Sequence, residues 1–291
     1  MGNLEHLEQL KQGVYVWNRY KSESGECEID LSYADLRAVN CSGAYLEGAN
    51  LYRANLFTTD FRGANLRGAN FKETNLELAN LSRAYLSQAN LELADLFQAN
   101  LSGANLQGAC LEGADLQKAI IWRANLTAAS LRETTFWKSF LIGSLLRKAD
   151  LSLATIQETN LEQTDLQEAE IKEVYFRRSH LGKVNFRGAN LERSVFLKTV
   201  FWQTNLHNAC LKGTHFKDVV FYQSDLTKAN FQGAHLERVV FRGANLTGAN
   251  LEQAVVEQAV FSEVNLSGVN LTEGAIQWKQ FGKNAAIASQ K

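Results

Sequence analysis

The chain has 291 residues, with 30 Lys and Arg against 31 Asp and Glu and a formal net charge of −1. The two signs are mixed along its whole length, which excludes the clustered basic surface of a nucleic-acid footprint. Proline is absent, as expected where nearly every backbone N–H joins a ladder, and no apolar run approaches a membrane span.

Residues 4–20 read as a helix. Leu4, Leu7, Leu10, Val14, Trp17 and Tyr20 recur at helical spacing and make one apolar stripe. Gly13 weakens or splits it, and the stretch from Ser22 to Gly25 ends it. Glu5, Glu8 and Lys11 stand where a secretory leader is apolar, so no signal peptide is expected. The stripe suits a cap over the open ladder of a repeat array; the alternative is a helix for a partner's groove.

From Leu31 the chain changes character. Stepping by five gives Leu36, Cys41, Leu46, Leu51, Leu56, Phe61 and Leu66, and the walk runs to Leu266, Leu271 and Ile276. Every stop is Leu, Phe, Ile, Val or Cys; we call it the centre. Two residues earlier, from Ala34 to Val269, stands Ala, Ser, Thr or Val. Asn or Asp commonly precedes the centre, as at Asn50, Asn55, Asp60, Asn65 and Asn70. A helix repeats its apolar face at 3.6 residues and a strand at 2, so a strict five over about 50 copies fits neither. The centre and the small residue point inward, and the other three positions face water.

The units Ala64-Asn65-Leu66-Arg67-Gly68 and Ala249-Asn250-Leu251-Glu252-Gln253 resemble the pentapeptide-repeat family, over about five-sixths of the chain. Gly13-Val14-Tyr15-Val16-Trp17-Asn18 resembles the leader common in that family. The resemblance implies an all-β solenoid: a right-handed quadrilateral β-helix with one pentapeptide per side. Twenty residues then make a coil, and about 12 coils at about 4.8 Å make a rod near 60 Å long. The domain reading is a helical cap over 1–28, the repeat array over 29–276 and a C-terminal cap or tail over 277–291. There Gly274 breaks the small-residue pattern, and Trp278 and Phe281 are placed to cover the last coil. Asn and Asp are expected to bond nearby backbone at corners and to stack as ladders between coils.

Cys27, Cys41, Cys110 and Cys210 show no CxxC spacing. Cys110 and Cys210 share a column but lie about five coils, roughly 24 Å, apart, beyond the reach of about 7 Å that a disulfide allows. Cys41 sits on a core position as a small apolar group. Reduced thiols and a cytoplasmic setting are expected.

Steps of twenty turn the repeat into a surface map. Two sides, centred on Leu46 and Leu51 and their successors, keep Asn or Asp before most centres. The other two, which are adjacent, do not. There Ile120, Trp122, Trp137, Phe140 and Ile142 are expected to form one outward cluster. Val195, Leu197, Val200, Trp202, Val220 and Tyr222 form a second, with Val240 and Val260 beyond. Phe97 and Tyr175 lie on the same sides. β-Branched and aromatic residues suit exposed strands in any case, yet contiguous apolar patches are uncommon on soluble monomers and aromatics are enriched at interface hot spots. We expect an interaction surface, for a foreign protein or for self-association. The mixed-charge column of Lys118, Lys138, Glu158, Arg178, Lys198, Asp218 and Arg238 reads as a solvated face. His215 and His235 share an outward column, with Glu237 beside them. Metal sites need three or four ligands, so a solvated pair is expected and metal binding stays open.

A dry, filled core implies no cofactor and no small-molecule substrate. The chain has no nucleophile–base constellation, phosphate loop or His/Cys metal spacing, and a solenoid lacks a deep pocket. It reads as a non-enzymatic scaffold with a protein partner still to be identified, binding neither nucleic acid nor membrane. The resemblance raises one alternative, since some members mimic a DNA duplex, bind DNA gyrase and protect it from quinolones. That role needs a strongly acidic surface, which balanced charge does not supply. A purely structural rod is the other alternative. The family's abundance in cyanobacteria implies a bacterial source.

Overall fold

The computed structural model describes residues 2–25, 28–270 and 277–279, the last three as backbone only. Cys27, Leu271, Gly274, Ile276 and Phe281 lie outside the described residues, as does the Trp278 side chain. The chain is an all-β solenoid preceded by two short helices. It divides into two compact units, residues 1–149 and 150–291.

The single helix expected over 4–20 is two: α1, Leu4–Lys11, and α2, Val14–Ser24. Gly13 divides them at φ 117°, a conformation open to glycine alone among common residues. Asn3 caps α1 by accepting from the N–H groups of Glu5 and His6. The apolar stripe is only partly inward. Leu10 and Trp17 are fully buried, but Leu4 is 63% exposed, and His6 takes a buried place instead.

These helices cover the first turn of the array through side chains that stand in for backbone. Trp17 Nε1 donates to the Tyr45 carbonyl at 2.8 Å. The Asn18 amide donates to the Gly43 carbonyl at 3.0 Å and accepts from Tyr45 N–H at 2.8 Å. Asp30 N–H donates to His6 Nδ1 at 3.2 Å. Gly2 and Asn3 N–H donate to the carbonyls of Ser32 and Asp30. An added Cβ on Gly2 would stand 2.8 Å from the Ser32 oxygen, so this close approach needs glycine.

In the first unit each residue before a centre from Asp30 to Asn125 bridges the residue twenty along, in parallel: Asp30 with Asn50, Asn50 with Asn70, Asn70 with Asn90. One repeat, 50–54, explains the composition. Asn50 N–H donates to Ile29 O, Leu51 N–H to Asn70 O, Arg53 N–H to Lys72 O and Ala54 N–H to Leu51 O. The remaining donor, Tyr52 N–H, meets Asn50 Oδ1 at 3.2 Å. All five N–H groups are engaged, which leaves no place for proline. Asn or Asp precedes the centre because it accepts from the one N–H that the backbone leaves over. The same side chains form the expected ladders, with Asn50 Nδ2 on Asp30 Oδ1 and Asn70 Nδ2 on Asn50 Oδ1, both at 3.1 Å.

The second residue after each centre turns left-handed. Gly occupies this place at Gly63 and Gly68, but Thr58 adopts it at φ 55°. A β-branched residue is strained there, and Thr58 is exposed. Thr58→Gly is expected to raise stability by about 1 kcal/mol, read as a higher urea midpoint with unchanged slope; a lower midpoint would refute the strain.

Inward positions behave as the pattern demands. Centres such as Leu51, Phe61 and Leu66 are fully buried, as are Ala44, Ala64 and Ala69. Cys41 is fully buried too, and burial pushes its thiol up to about 12. Thr or Ser in place of Ala can donate its hydroxyl to a carbonyl, as from Thr59 to Leu36 O at 2.8 Å and from Ser144 to Ile121 O at 2.6 Å, whereas the buried Thr199 hydroxyl has no partner.

The second unit keeps the step of twenty and adds strands. Thr155–Gln157, Tyr175–Arg177, Val195–Leu197, His215–Lys217, His235–Glu237 and Val255–Glu257 pair in succession. Val200–Trp202, Val220–Tyr222, Val240–Arg242 and Val260–Ser262 form a second parallel sheet. Behind them run columns of stacked rings. Phe176, Phe196 and Phe216 stack at 4.6 and 5.0 Å. Phe201, Phe221, Phe241 and Phe261 stack at 4.5, 5.0 and 5.0 Å.

The unbroken phase expected through Ile276 is corrected at its end. Gln277–Lys279 pairs with Val255–Glu257 so that Trp278, not Ile276, stands opposite Val256. Burial also falls off there: Phe261, Val264 and Leu266 are half-buried.

Candidate functional site

The outward residues of the two exceptional sides follow from what precedes each centre. On the regular sides Asn90 and Asn125 accept from Glu92 and Thr127 N–H, at 3.0 and 3.1 Å, and hold a turn. Val195, Val200, Val220 and Val240 have no acceptor to offer. In the second unit those segments flatten into three-residue strands whose centre is buried and whose flanks face out.

In that unit Val200, Val220, Val240 and Val260 stand in register, and so do Trp202, Tyr222 and Arg242. Val200 is 49% exposed and Trp202 37%; Val195, Leu197, Val220, Tyr222 and Val240 are half-buried. The sheet register therefore brings Val200, Trp202, Val220, Tyr222 and Val240 onto one face. In the first unit Ile120 bridges Phe140 in register. Ile120, Trp122 and Phe140 are all exposed, and Trp137 and Ile142 half-buried. The segments around Ile120 and Phe140 keep the turn form, whereas Trp137 ends the strand Thr135–Trp137, so this cluster lies mostly on turns.

The rings are not bare. Lys118 and Lys138 lie over Trp137, at 5.3 and 4.6 Å from the ring centroid, and Lys118 also lies 4.9 Å from Phe97. Arg123 covers Trp122 at 4.7 Å. Lys183 covers Trp202 at 4.8 Å, and Arg242 approaches Tyr222 at 6.0 Å. The expected apolar patch is thus an aromatic–cation surface. Lys118 and Lys138, read above as part of a solvated face, are ring partners. The lower part of that column is solvated as expected: Arg238 pairs with Asp218 at 2.6 Å. The Arg238 hydrogen bond holds the Asp218 carboxyl below its ordinary range.

His215 and His235 stack at 4.7 Å with planes 15° apart. Each Nε2 is buried without a hydrogen bond, 3.8 Å from Glu237 and Glu257 respectively. Burial, and then the charge of His235, pull the His215 pKa down. Glu237 is bound by Lys217 at 3.0 Å and by Arg238, and the Lys217 hydrogen bond lowers its pKa. Its charge is therefore already matched. Among the described residues no three His, Cys, Asp or Glu side chains converge to hold a metal. Cys41, Cys110 and Cys210 are free thiols. Among the described residues no helix is long and apolar enough to cross a membrane.

Two family models match the sequence. One, described as pentapeptide repeats, matches in eight copies over residues 29–56, 59–96, 79–117, 109–147, 124–163 and 146–182. The other, a pentapeptide repeat region, matches 196–271. None of the curated proteins matches. Among solved structures, QnrB1, a plasmid-mediated fluoroquinolone resistance protein, is 16% identical. It aligns over 62% of this chain and 93% of its own, with a TM-score of 0.49. HetL, involved in heterocyst differentiation regulation in the cyanobacterium Nostoc, is 22% identical over 89% of this chain and 97% of its own, with a TM-score of 0.26. A pentapeptide repeat protein of the Arabidopsis thaliana thylakoid lumen is 29% identical over 34% of this chain and 67% of its own, with a TM-score of 0.32.

Proposed function

The chain belongs to the pentapeptide-repeat family, and from that premise we propose that it is a non-enzymatic scaffold binding a protein through its aromatic outer edge. The proposed architecture is a right-handed, four-sided helix of about twelve coils over residues 29–276, with residues 1–28 as cap and 277–291 as tail. A cyanobacterial source and a cytoplasmic setting belong to the same proposal.

One observation carries the function: large apolar side chains stand outward in register in two clusters. Ile120 and Phe140 bridge each other, and Trp202 lies beside Tyr222. Soluble surfaces rarely collect such groups without a use, and Trp and Tyr are the residues that anchor interfaces. The inward space is filled by fully buried Leu, Phe and Ala, which favours an outer surface over an enclosed pocket.

Replacing Trp202 and Tyr222 together by Ser is expected to abolish a partner recovered by affinity purification from the native host, or a dimer seen by light scattering. The loss should exceed about tenfold in affinity, as for hot-spot residues. Wild-type protein that is monomeric and recovers nothing beyond what the variant recovers would mark these residues as strand-stabilising only.

A further inference from the structure

Some cations of these sides are held by rings and not by carboxylates. Several other Lys and Arg meet carboxylates: Arg53 with Glu73, Arg62 with Asp60, Lys72 with Glu92, Lys172 with Glu170. Among the described residues Lys118, Arg123, Lys183 and Arg242 form no ion pair; each lies over a ring instead. Two nearby carboxylates bond neutral N–H groups. Asp95 accepts from Phe97 N–H at 3.0 Å, and Asp115 accepts from Gln117 N–H and Nε2 at 2.9 and 3.1 Å. Lys118 and Arg123 thus carry positive charge that no carboxylate pairs, beside the exposed side chains of Ile120, Trp122 and Phe140.

We infer that the surface formed by Ile120, Trp122 and Phe140 with Lys118 and Arg123 docks an acidic, amphipathic segment of a protein partner. This rests on the scaffold reading above and adds the partner's chemistry. Carboxylates of the partner would meet Lys118 and Arg123, already fixed over Trp137 and Trp122, so little side-chain order is lost on binding. Its apolar side chains would cover Ile120 and Phe140, 41% and 48% exposed. Charge complementarity would set the choice of partner and the rate of encounter.

Two other occupants fit less well. A second copy in a two-fold contact sets the same patch against itself, and Lys118 and Arg123 would then face like charge. Nucleic acid bound without sequence preference needs open ring faces for its bases, and here the rings of Trp122 and Trp137 are covered by the protein's own cations.

The test uses the full chain and a labelled synthetic peptide in which Glu alternates with Leu and Phe. Companion probes are the same peptide with Lys for Glu and a short single-stranded oligonucleotide. The Glu peptide should bind, and added salt should weaken it. Lys118→Glu/Arg123→Glu should weaken it at least about tenfold; the Lys peptide should not bind. Unchanged thermal midpoints confirm that the variants are folded; if the reversals unfold, Lys118→Gln/Arg123→Gln replaces them. Equal binding of both peptides, indifference to charge reversal, or tighter binding of the oligonucleotide overturns the inference. A native partner lost by Trp122→Ser/Phe140→Ser but kept by the charge-reversed variant would sink this inference and leave the scaffold reading standing. Absence of any partner for wild type would sink both.

Discussion

Phe221→Ala is expected to lower local stability by about 3–5 kcal/mol. Phe221 is fully buried. Its ring stacks on Phe201 at 4.5 Å and on Phe241 at 5.0 Å, with Phe216 edge-on at 5.5 Å. The cost of a large-to-small change depends on how far the neighbours can close the void. Here they cannot close far, because Val200–Trp202 and Val240–Arg242 are held on both flanks by the parallel ladder. Phe221→Leu, the residue found at most other centres, should cost less than about 1.5 kcal/mol. A repeat array unfolds by neighbour terms, so the measurement is hydrogen exchange at the amides of the flanking strands. Equal effects of Ala and Leu would show that the ring column contributes no packing of its own.

The second large effect belongs to the cap. Trp17→Ala should cost about 3–5 kcal/mol and promote association. Trp17 is fully buried, touches the rings of His6 and Tyr20, and holds the Tyr45 carbonyl. Its loss frees α2 and with it the Asn18 amide, which holds Gly43 and Tyr45. An open parallel edge is a template for another chain. Faster exchange at Tyr45 N–H and a concentration-dependent rise in scattering mass are the readouts. Asn18→Ala alone should cost about 1–3 kcal/mol, since it strands two backbone groups but keeps the ring. A monomeric Trp17→Ala protein with unchanged exchange at Tyr45 would mean that the helices do not protect this edge.

The inward half of the fold was legible because size alone decides it: a centre must fill the core and its small companion must not. Asn18 was not legible, since an Asn inside a helix looks like any solvated residue until its partner strand is known. Nor was the shift at Gln277, because Ile276 has the apolar character that the phase demands. The edge lies between these cases. Its apolar residues appear in the twenty-residue map, but their cations were passed over as solvated charge. A rule would have found most of them. The ring partner sits one place after the aromatic, as in Trp122 with Arg123 and Trp137 with Lys138. Otherwise it sits nineteen places before, as in Trp137 with Lys118 and Trp202 with Lys183.

The engagement of all five N–H groups in a repeat also governs how such a chain can change its length. An inserted residue would bring a sixth donor with no acceptor and move every later residue out of its column. Five added residues would preserve the local pattern but set each later residue against the wrong partner, since pairing runs from Asn50 to Asn70. Only twenty at a time leaves every column in place. Residues 81–100 could be removed, or copied, and Leu101 would follow Asn80 in the column that Leu81 held. The array is thus editable in whole turns, and its edge can be lengthened or shortened in evolution without being redesigned.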